Sequence, residues 1–168
     1  QKSQRTCRVK FIDEAMITVQ SGDGGRGCVS LRREKYVPRG GPDGGDGGKG
    51  GDVILKSSLH RRTLYPFQFK RQFKAEKGAH GQGKQKTGRN GSDLIIEIPP
   101  GTLVKDTATG EVIEDFTTTG ESFTVVKGGR GGLGNARFKT STNRTPRYAQ
   151  PGEAGQTRQL KLELKLLA

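Results

Sequence analysis

Positively charged side chains are the groups in this sequence whose types and spacing best suit binding chemistry. The segments Arg137-Phe138-Lys139 and Arg144-Thr145-Pro146-Arg147-Tyr148 place cations beside aromatic rings, outside any strand pattern. Because a guanidinium can pair with a phosphate and a ring can stack on an unpaired base, these segments indicate contact with RNA. Together with cations in or beside glycine-rich segments, the candidate RNA-binding residues are Lys77, Lys84, Lys86, Arg89, Arg137, Lys139, Arg144 and Arg147.

A second basic run adds candidates at a position whose structure is ambiguous. Arg32, Arg33 and Lys35 follow one another closely between two glycine-rich segments. This run could equally form the outer face of a strand, so its residues are second choices for RNA contact. For any single basic cluster, the alternative interpretation is a solvated face without a ligand.

Patterns for nucleotide binding or catalysis are weak by comparison. Gly22-x-Gly24-x-x-Gly27 matches the dinucleotide fingerprint, but no amphipathic helix follows it and glycine-rich repetition produces the same pattern elsewhere. A P-loop needs Ser or Thr after its lysine, whereas Gln85 follows Gly83-Lys84. We therefore predict no catalytic, cofactor-binding or metal-binding residue in this chain. The enzymatic alternative is an acid–base pair formed by Asp43 and Asp46.

Composition narrows the class of protein and of partner. The 168 residues carry 30 Lys and Arg against 17 Asp and Glu, a net charge of +13. Such an excess favours a polyanionic partner, with nucleic acid as the first choice. No apolar run reaches the roughly 18 residues of a membrane helix, and the 2 cysteines are too few for a disulfide framework. We expect a monomer in the reducing cytoplasm.

Short β-patterned runs alternate with glycine-rich tracts along the chain, and no stretch shows the apolar period of a helix. At the end of the chain, Leu160, Leu162, Leu164 and Leu166 alternate with polar residues, as in a half-buried strand. About eight short strands with tight turns favour an all-β fold built on a small, closed or partly closed β-barrel. The predicted strands are 15–20, 28–34, 52–56, 63–70, 93–98, 102–105, 111–115, 122–127 and 158–166.

The glycine-rich tracts follow a period of three residues between positions 44 and 52. Three residues per turn is the period of the polyproline II helix, which makes no internal hydrogen bonds and packs closely only where glycine removes the Cβ. We therefore predict several such helices side by side, projecting from the strands and hydrogen-bonded to one another. The alternative is a set of flexible loops. The predicted structural glycines are Gly44, Gly45, Gly47, Gly48, Gly50 and Gly51.

Several strings of residues carry a resemblance to a known family. The sequence has KFIDEA at 10–15, GDGG at 22–25, LRREKY at 31–36 and GGPDGGDGG at 40–48. It continues with GLGN at 132–135, NRTPR at 143–147 and LELKLLA at 162–168. Over residues 9–168 the chain resembles the amino-terminal domain of the Obg family of GTPases.

The resemblance implies a single domain over residues 9–168, a small β-barrel bearing a bundle of glycine-rich polyproline II helices. Residues 1–8 are expected to lie outside it, as an upstream extension, an expression remnant or a trimmed transit peptide. In the family the chain continues into a Ras-like G domain with a P-loop, a magnesium site and switches, which is absent from this sequence. GTP and Mg²⁺ are thus expected in that domain, and no residue here is assigned to them.

The family also implies a function and a partner. Its members are ribosome-associated GTPases that act in assembly of the large ribosomal subunit and, in bacteria, in growth and stress control. The amino-terminal domain is expected to dock on ribosomal RNA in the peptidyl-transferase region. The alternative function is a protein–protein interaction scaffold without RNA contact. If residues 1–8 derive from a transit peptide, an organelle replaces the cytoplasm as the expected location.

Overall fold

Short β-strands make up nearly all regular structure in the computed structural model, which describes residues 9–33 and 40–167. Two 3-10 helices, Tyr65–Gln68 and Asn135–Phe138, are the only helices among these residues. The prediction of an all-β fold with almost no helix is therefore confirmed for the described part of the chain. The strands are β1 (Val9–Gln20), β2 (Val53–Ser57), β3 (Gln72–Lys74), β4 (Leu94–Ile98), β5 (Thr102–Asp106), β6 (Val112–Asp115), β7 (Ser122–Val126) and β8 (Thr157–Leu167).

The strands form two sheets, with order β3-β1-β8-β5-β6 and order β4-β2-β7. The long antiparallel ladder of β1 and β8 runs from Val9 opposite Leu167 to Gln20 opposite Thr157. The pairs β1-β3 and β2-β4 are parallel, and the other pairs are antiparallel. Within the described residues no ladder joins the two sheets, so the predicted barrel is not closed. The short strands β3, β4, β6 and β7 leave open edges instead.

A single apolar cluster draws on both sheets. Leu160, Leu162 and Leu164 of β8 are buried, as their alternation predicts. They join residues of the neighbouring β1 and residues of β2, β4 and β7 from the other sheet. Burial of such apolar side chains is the main stabilising term, at about 1.5–3 kcal/mol each. The further cluster members include Ala15, Ile17, Val19, Val53, Leu55, Ile96, Ile98, Val104, Phe116 and Val126.

Two predicted strands are wrong. Segment 63–70 contains a 3-10 helix at Tyr65–Gln68, because Pro66 in its first turn has no N–H for a ladder and Asp13 accepts the N–H of Leu64. In segment 28–34, the described residues form only an isolated bridge between Leu31 and Pro42. Backbone groups of this segment pair with glycine-rich tracts instead of a sheet. The short strand β3 was not predicted, because three residues are too few to show the alternation of apolar and polar residues typical of a strand.

The glycine-rich segments lie side by side and hydrogen-bond to one another. We number them as the first tract (21–30), second (40–52), third (76–82), fourth (86–93), fifth (128–134) and sixth (150–156). The second tract lies at the centre, since it exchanges backbone hydrogen bonds with the first, third, fourth and fifth. The sixth tract completes the group by pairing with the first and fifth. We call this arrangement the glycine-tract bundle.

The period of three in the second tract sends successive backbone groups to different neighbours. Gly45 and Gly48 donate their N–H groups to carbonyls of the third tract, at 2.9 and 2.8 Å. Gly47 and Gly50 donate theirs to the fifth tract, at 2.8 and 2.9 Å. The carbonyl of Lys49 accepts an N–H of the fourth tract at 2.7 Å. The tracts are thus packed against one another instead of hanging as separate loops, while polyproline II geometry itself stays a prediction.

Close approach of backbones explains why these positions are glycine. A Cβ on Gly48 would lie on the carbonyl of Arg89, and one on Gly45 would lie on that of Lys86. Each of the six predicted structural glycines meets backbone of a neighbouring tract closer than 3.0 Å in this way. Backbone cannot rotate away as a side-chain end can, so any larger residue must push two tracts apart.

We expect Gly48→Ala to destabilise the fold by about 1–3 kcal/mol, the usual cost of overpacking a close-packed site. The free energy of unfolding, measured by denaturant titration, checks this. Gly41→Ala is the matched control, because a Cβ there meets only the Lys139 ammonium at 3.5 Å. Equal stability of the two variants would contradict the close-packed bundle and support loose loops.

Candidate nucleic-acid interface

One end of the glycine-tract bundle adjoins the sheets and the other carries loops. β1 ends at Gln20 where the first tract begins, and β2 begins at Val53 where the second ends. The remaining tracts likewise adjoin β3, β4, β7 or β8 at this same end. The opposite end is formed by residues 30–33, 40–46, 82–87 and 135–148, which we call the tip. Most candidate cations lie there.

Asn135 joins three loops at the tip and is fully buried. Its Oδ1 accepts the N–H of Gly44 at 2.8 Å, and its Nδ2 donates to the carbonyls of Ser30 at 3.0 Å and Pro146 at 2.9 Å. The loop that bears Arg144 and Arg147 is thereby tied to the bundle. Sequence analysis did not single out Asn135 as a positioning residue. Its place directly after a glycine-rich tract was the available signal.

Lys84 sits in a tight turn of unusual backbone conformation. Lys84 and Gln85 have φ angles of 63° and 55°, the left-handed region that costs a non-glycine residue about 1–2 kcal/mol. Asp43 holds this turn, because its Oδ2 accepts the N–H of Lys84 at 3.1 Å and its carbonyl accepts that of Gln85 at 2.7 Å. Arg33 and Lys84 line one cavity of about 320 Å³ with Asp43. Asp43, which the enzymatic alternative would use as an acid or base, is therefore buried and engaged with backbone.

Ion pairing separates the cations into two groups. Strand residues such as Lys105, Arg158 and Lys165 pair with carboxylates at 3.1, 3.2 and 2.7 Å. Among the candidates, Arg137 is also paired, with its Nη2 at 2.9 Å from Oδ2 of Asp46. The exposed candidates without an ion pair to any described residue are Arg33, Lys77, Lys84, Lys86, Arg89, Lys139, Arg144 and Arg147.

The candidate RNA-binding cations also differ in where they lie along the glycine-tract bundle. Arg89 lies midway along the bundle, where its carbonyl accepts the N–H of Ala79 at 2.8 Å. Lys77 lies near the sheets, next to Glu76, whose carbonyl accepts the N–H of Gly51. Lys35 falls outside the described residues. The tip thus brings together Arg32, Arg33, Lys84, Lys86, Arg137, Lys139, Arg144 and Arg147, whereas Lys77 and Arg89 lie along the side of the bundle.

An aromatic pair accompanies the tip cations. The rings of Phe138 and Tyr148 lie 4.9 Å apart between centroids, inclined at 42°. Tyr148 is 52% exposed, so one ring surface is open to solvent. Open rings beside cations are the usual elements of sites that hold unpaired nucleotides.

Ionised carboxylates cap N–H groups within the bundle. Burial raises the pKa of Asp46, but the Gly134 N–H at 2.9 Å and the Arg137 guanidinium outweigh it, so the pKa lies below its usual value. Burial likewise raises the pKa of Asp52, and the Gly128 N–H and the Lys49 ammonium lower it by more. Both carboxylates are therefore charged at neutral pH and hold neighbouring tracts together.

The described residues contain no group of three or more His, Cys, Asp or Glu side chains able to hold a metal ion. Gly83-Lys84 lies in the left-handed turn, and no helix follows it as in a phosphate-binding P-loop. None of the helices in the described part of the chain has the length and apolar character needed to cross a bilayer.

We expect stability to fall with acid because Asp46 and Asp52 have lowered folded-state pKa values. Such a carboxylate stabilises the fold above its unfolded pKa near 4, and this contribution is lost as the pH falls through the folded-state value. Asp46→Asn keeps an acceptor for Gly134 but cannot titrate, so its unfolding free energy should change less between about pH 6 and about pH 2. Identical pH profiles for the variant and the unmodified chain would contradict this role of Asp46.

Known proteins match this chain over almost its whole length. The GTP1/OBG family model matches residues 12–166. Relatives named GTPase Obg share 61% identity over 160 residues in Desulfosudis oleivorans and 57% over 160 residues in both Desulfatibacillum aliphaticivorans and Persephonella marina. These alignments cover 95% of this chain but only 48%, 48% and 47% of the relatives' lengths.

The chain therefore spans about half the length of the curated relatives it matches. The match to the family model and the identity at this level confirm the resemblance carried by the glycine-rich strings. This chain belongs to the GTP1/OBG family.

Proposed function

We propose that this chain is the ribosomal RNA-docking module of an Obg-family GTPase and that the tip makes the contact. The observation that carries the proposal is the gathering of exposed cations without ion pairs at one end of a bundle anchored in two sheets. Several strand cations, such as Lys105, Arg158 and Lys165, pair with carboxylates of the same chain. Most tip cations form no such pair with a described residue, so they leave positive charge for an external anion.

RNA suits the tip better than an acidic protein surface. Arg144, Arg147 and Lys139 are exposed beside the open ring of Tyr148. This combination offers ion pairs to phosphates and a stacking surface to a base. The bundle is held by backbone hydrogen bonds along its length, so the tip loops are presented on a stiff support. Preorganised loops lose less conformational entropy on binding.

The partner we propose is the large ribosomal subunit, at its peptidyl-transferase region, during subunit assembly. Membership of the family and the net charge of +13 support this part of the proposal. A slender bundle with a basic end suits insertion between RNA elements. The alternative partner, a protein surface without RNA, would involve fewer phosphate contacts and hence a weaker dependence on salt.

We further propose that this chain has no GTPase activity of its own. The relatives are named GTPases, and more than half of their length lies outside the alignment. The described residues offer neither a metal-ligating group nor a P-loop. GTP and Mg²⁺ would be bound by the part of the relatives that this chain does not match.

Neutralising the loop cations tests the docking surface. Arg144→Ala with Arg147→Ala should weaken binding to purified large subunits and reduce the slope of log K against log salt by about 0.7–0.9 for each phosphate that is no longer bound. Thermal stability should change little because exposed charges contribute little to folding. Binding measured by co-sedimentation over a salt series checks both.

The control for this pair is Arg144→Lys with Arg147→Lys, which keeps both charges and should keep the salt slope. If the alanine pair left affinity and slope unchanged, this loop would not be an RNA contact. If the unmodified chain bound subunits with almost no salt dependence, the protein-scaffold alternative would replace the proposal.

Incubation with GTP tests the absence of catalysis. Phosphate release by the chain in the presence of Mg²⁺ should equal that of a protein-free control. Release above that control that disappears in Asp43→Asn or Asp46→Asn would establish the enzymatic alternative instead.

A further inference from the structure

A second basic surface lies far from the tip, around the 3-10 helix Tyr65–Gln68. No acidic residue occurs between Asp52 and Glu76, although this stretch contains many lysines and arginines. We call the surface the aromatic–basic face and define it by Arg61, Arg62, Tyr65, Phe69, Lys70 and Arg71. None of these residues is among the candidates derived from the sequence.

Two aromatic rings on this face are open to solvent. Tyr65 is 62% exposed and Phe69 is 74% exposed. Their centroids lie 5.0 Å apart with an interplanar angle of 82°, so each ring leaves a surface uncovered. The two neighbouring rings form a contiguous apolar patch, and apolar patches rimmed by polar residues mark interaction sites.

The rings are held in place by the elements beneath them. Phe67, between them in sequence, is buried and packs edge-on against Phe73 at 5.8 Å. The side chain of Gln68 donates to the carbonyl of Glu14 at 2.8 Å, and Asp13 accepts the N–H of Leu64. The exposed rings therefore belong to a segment fastened to β1.

The cations around the rings are not held in ion pairs by carboxylates of the described residues. Arg61, Arg62, Lys70 and Arg71 are exposed and form no ion pair with any described residue. Lys70 instead lies 5.0 Å from the ring centroid of Phe73. Beside them, a groove of about 490 Å³ is lined by Lys56, Arg61, Lys70, apolar residues of β4 and one acidic residue, Glu97.

We propose that the aromatic–basic face is a second RNA-binding surface, which takes single-stranded RNA. Unpaired bases stack on Tyr65 and Phe69, while Arg61, Arg62, Lys70 and Arg71 pair with the phosphates. Stacking on exposed rings among cations is how proteins hold single strands without reading their sequence. An acidic peptide would satisfy the charges but would leave the two ring surfaces without a planar partner.

This surface is separate from the tip. Its anchor points on β1 are Asp13, Glu14 and Thr18, whose N–H donates to the carbonyl of Arg71, whereas the first tract begins after Gln20. The whole length of the first tract, residues 21–30, therefore lies between this surface and the tip. The proposal therefore goes beyond docking through the tip and does not depend on it.

The test uses the full chain and a fluorescein-labelled 12-nucleotide oligouridylate, with binding followed by fluorescence anisotropy. Tyr65→Ala with Phe69→Ala should weaken binding about tenfold or more, since stacking of one base contributes a factor of about 5–150. The slope of log K against log salt should stay the same, because no charge is removed. Tyr65→Phe keeps the ring and should bind within about twofold of the unmodified chain.

Charge removal gives the complementary result. Arg61→Gln with Arg62→Gln should weaken binding and reduce the salt slope by about 0.7 for each phosphate that is no longer bound. Repeating both measurements in the Arg144→Ala, Arg147→Ala background lowers any contribution of the tip. If the aromatic–basic face binds RNA independently of the tip, the aromatic variants still weaken oligouridylate binding in this background. That result does not require the tip to bind RNA.

Two outcomes would overturn the inference. One is unchanged oligouridylate binding by the Tyr65→Ala, Phe69→Ala variant in both backgrounds, with thermal unfolding showing that the variant is folded. The other is binding of polyglutamate as tight as that of oligouridylate with the same sensitivity to the aromatic variants, which would indicate an acidic protein partner. Loss of large-subunit binding by tip variants alone bears on the proposed function and leaves this inference standing.

Discussion

Backbone hydrogen bonding between glycine-rich tracts is the constraint on which the rest of this structure depends. The tracts belong to no α-helix or β-sheet, so their buried N–H and carbonyl groups must find partners in one another. Such partners come within reach only where no Cβ keeps the backbones apart, as at Gly47 and Gly50. A chain with a modest apolar core can therefore still build a long, ordered projection.

Polar side chains complete what the backbones leave unpaired. Asp46 and Asp52 accept N–H groups of the fifth tract, and Asn135 accepts one from the second. Because Asp46 also pairs with Arg137, that arginine belongs to the structure of the tip as much as to its binding surface. Some charged residues thus hold the bundle together, and others form no ion pair with the described residues.

This division links the fold to its proposed work. The sheets anchor all six tracts at one end, and several of their cations pair with carboxylates such as Glu163 and Asp106. At the tip, the left-handed turn of Lys84 is held against Asp43 despite its conformational cost, which is characteristic of residues placed for binding. Stiffness from the bundle and free charge at its end are what docking on a polyanion requires.

The sequence by itself determined the all-β class, the packed glycine-rich tract at 44–52 and the family. These follow from local patterns, such as the alternation of Leu160, Leu162 and Leu164 and the three-residue glycine period, because each pattern repeats within a few residues. The sequence also indicated a basic surface, because the net charge follows from the residue counts alone. The order of strands within the two sheets could not be predicted from the sequence, because pairing joins strands distant in sequence, such as β1 and β8.

Tertiary structure decided which cations act together. Arg33 and Lys84 meet across more than fifty positions of sequence, Arg137 is paired with Asp46, and Lys77 lies apart near the sheets. It also turned the alternating aromatic residues of segment 63–70 from an expected strand into a 3-10 helix with exposed rings. These arrangements depend on contacts between residues far apart in the sequence, so a pattern within a few residues cannot predict them.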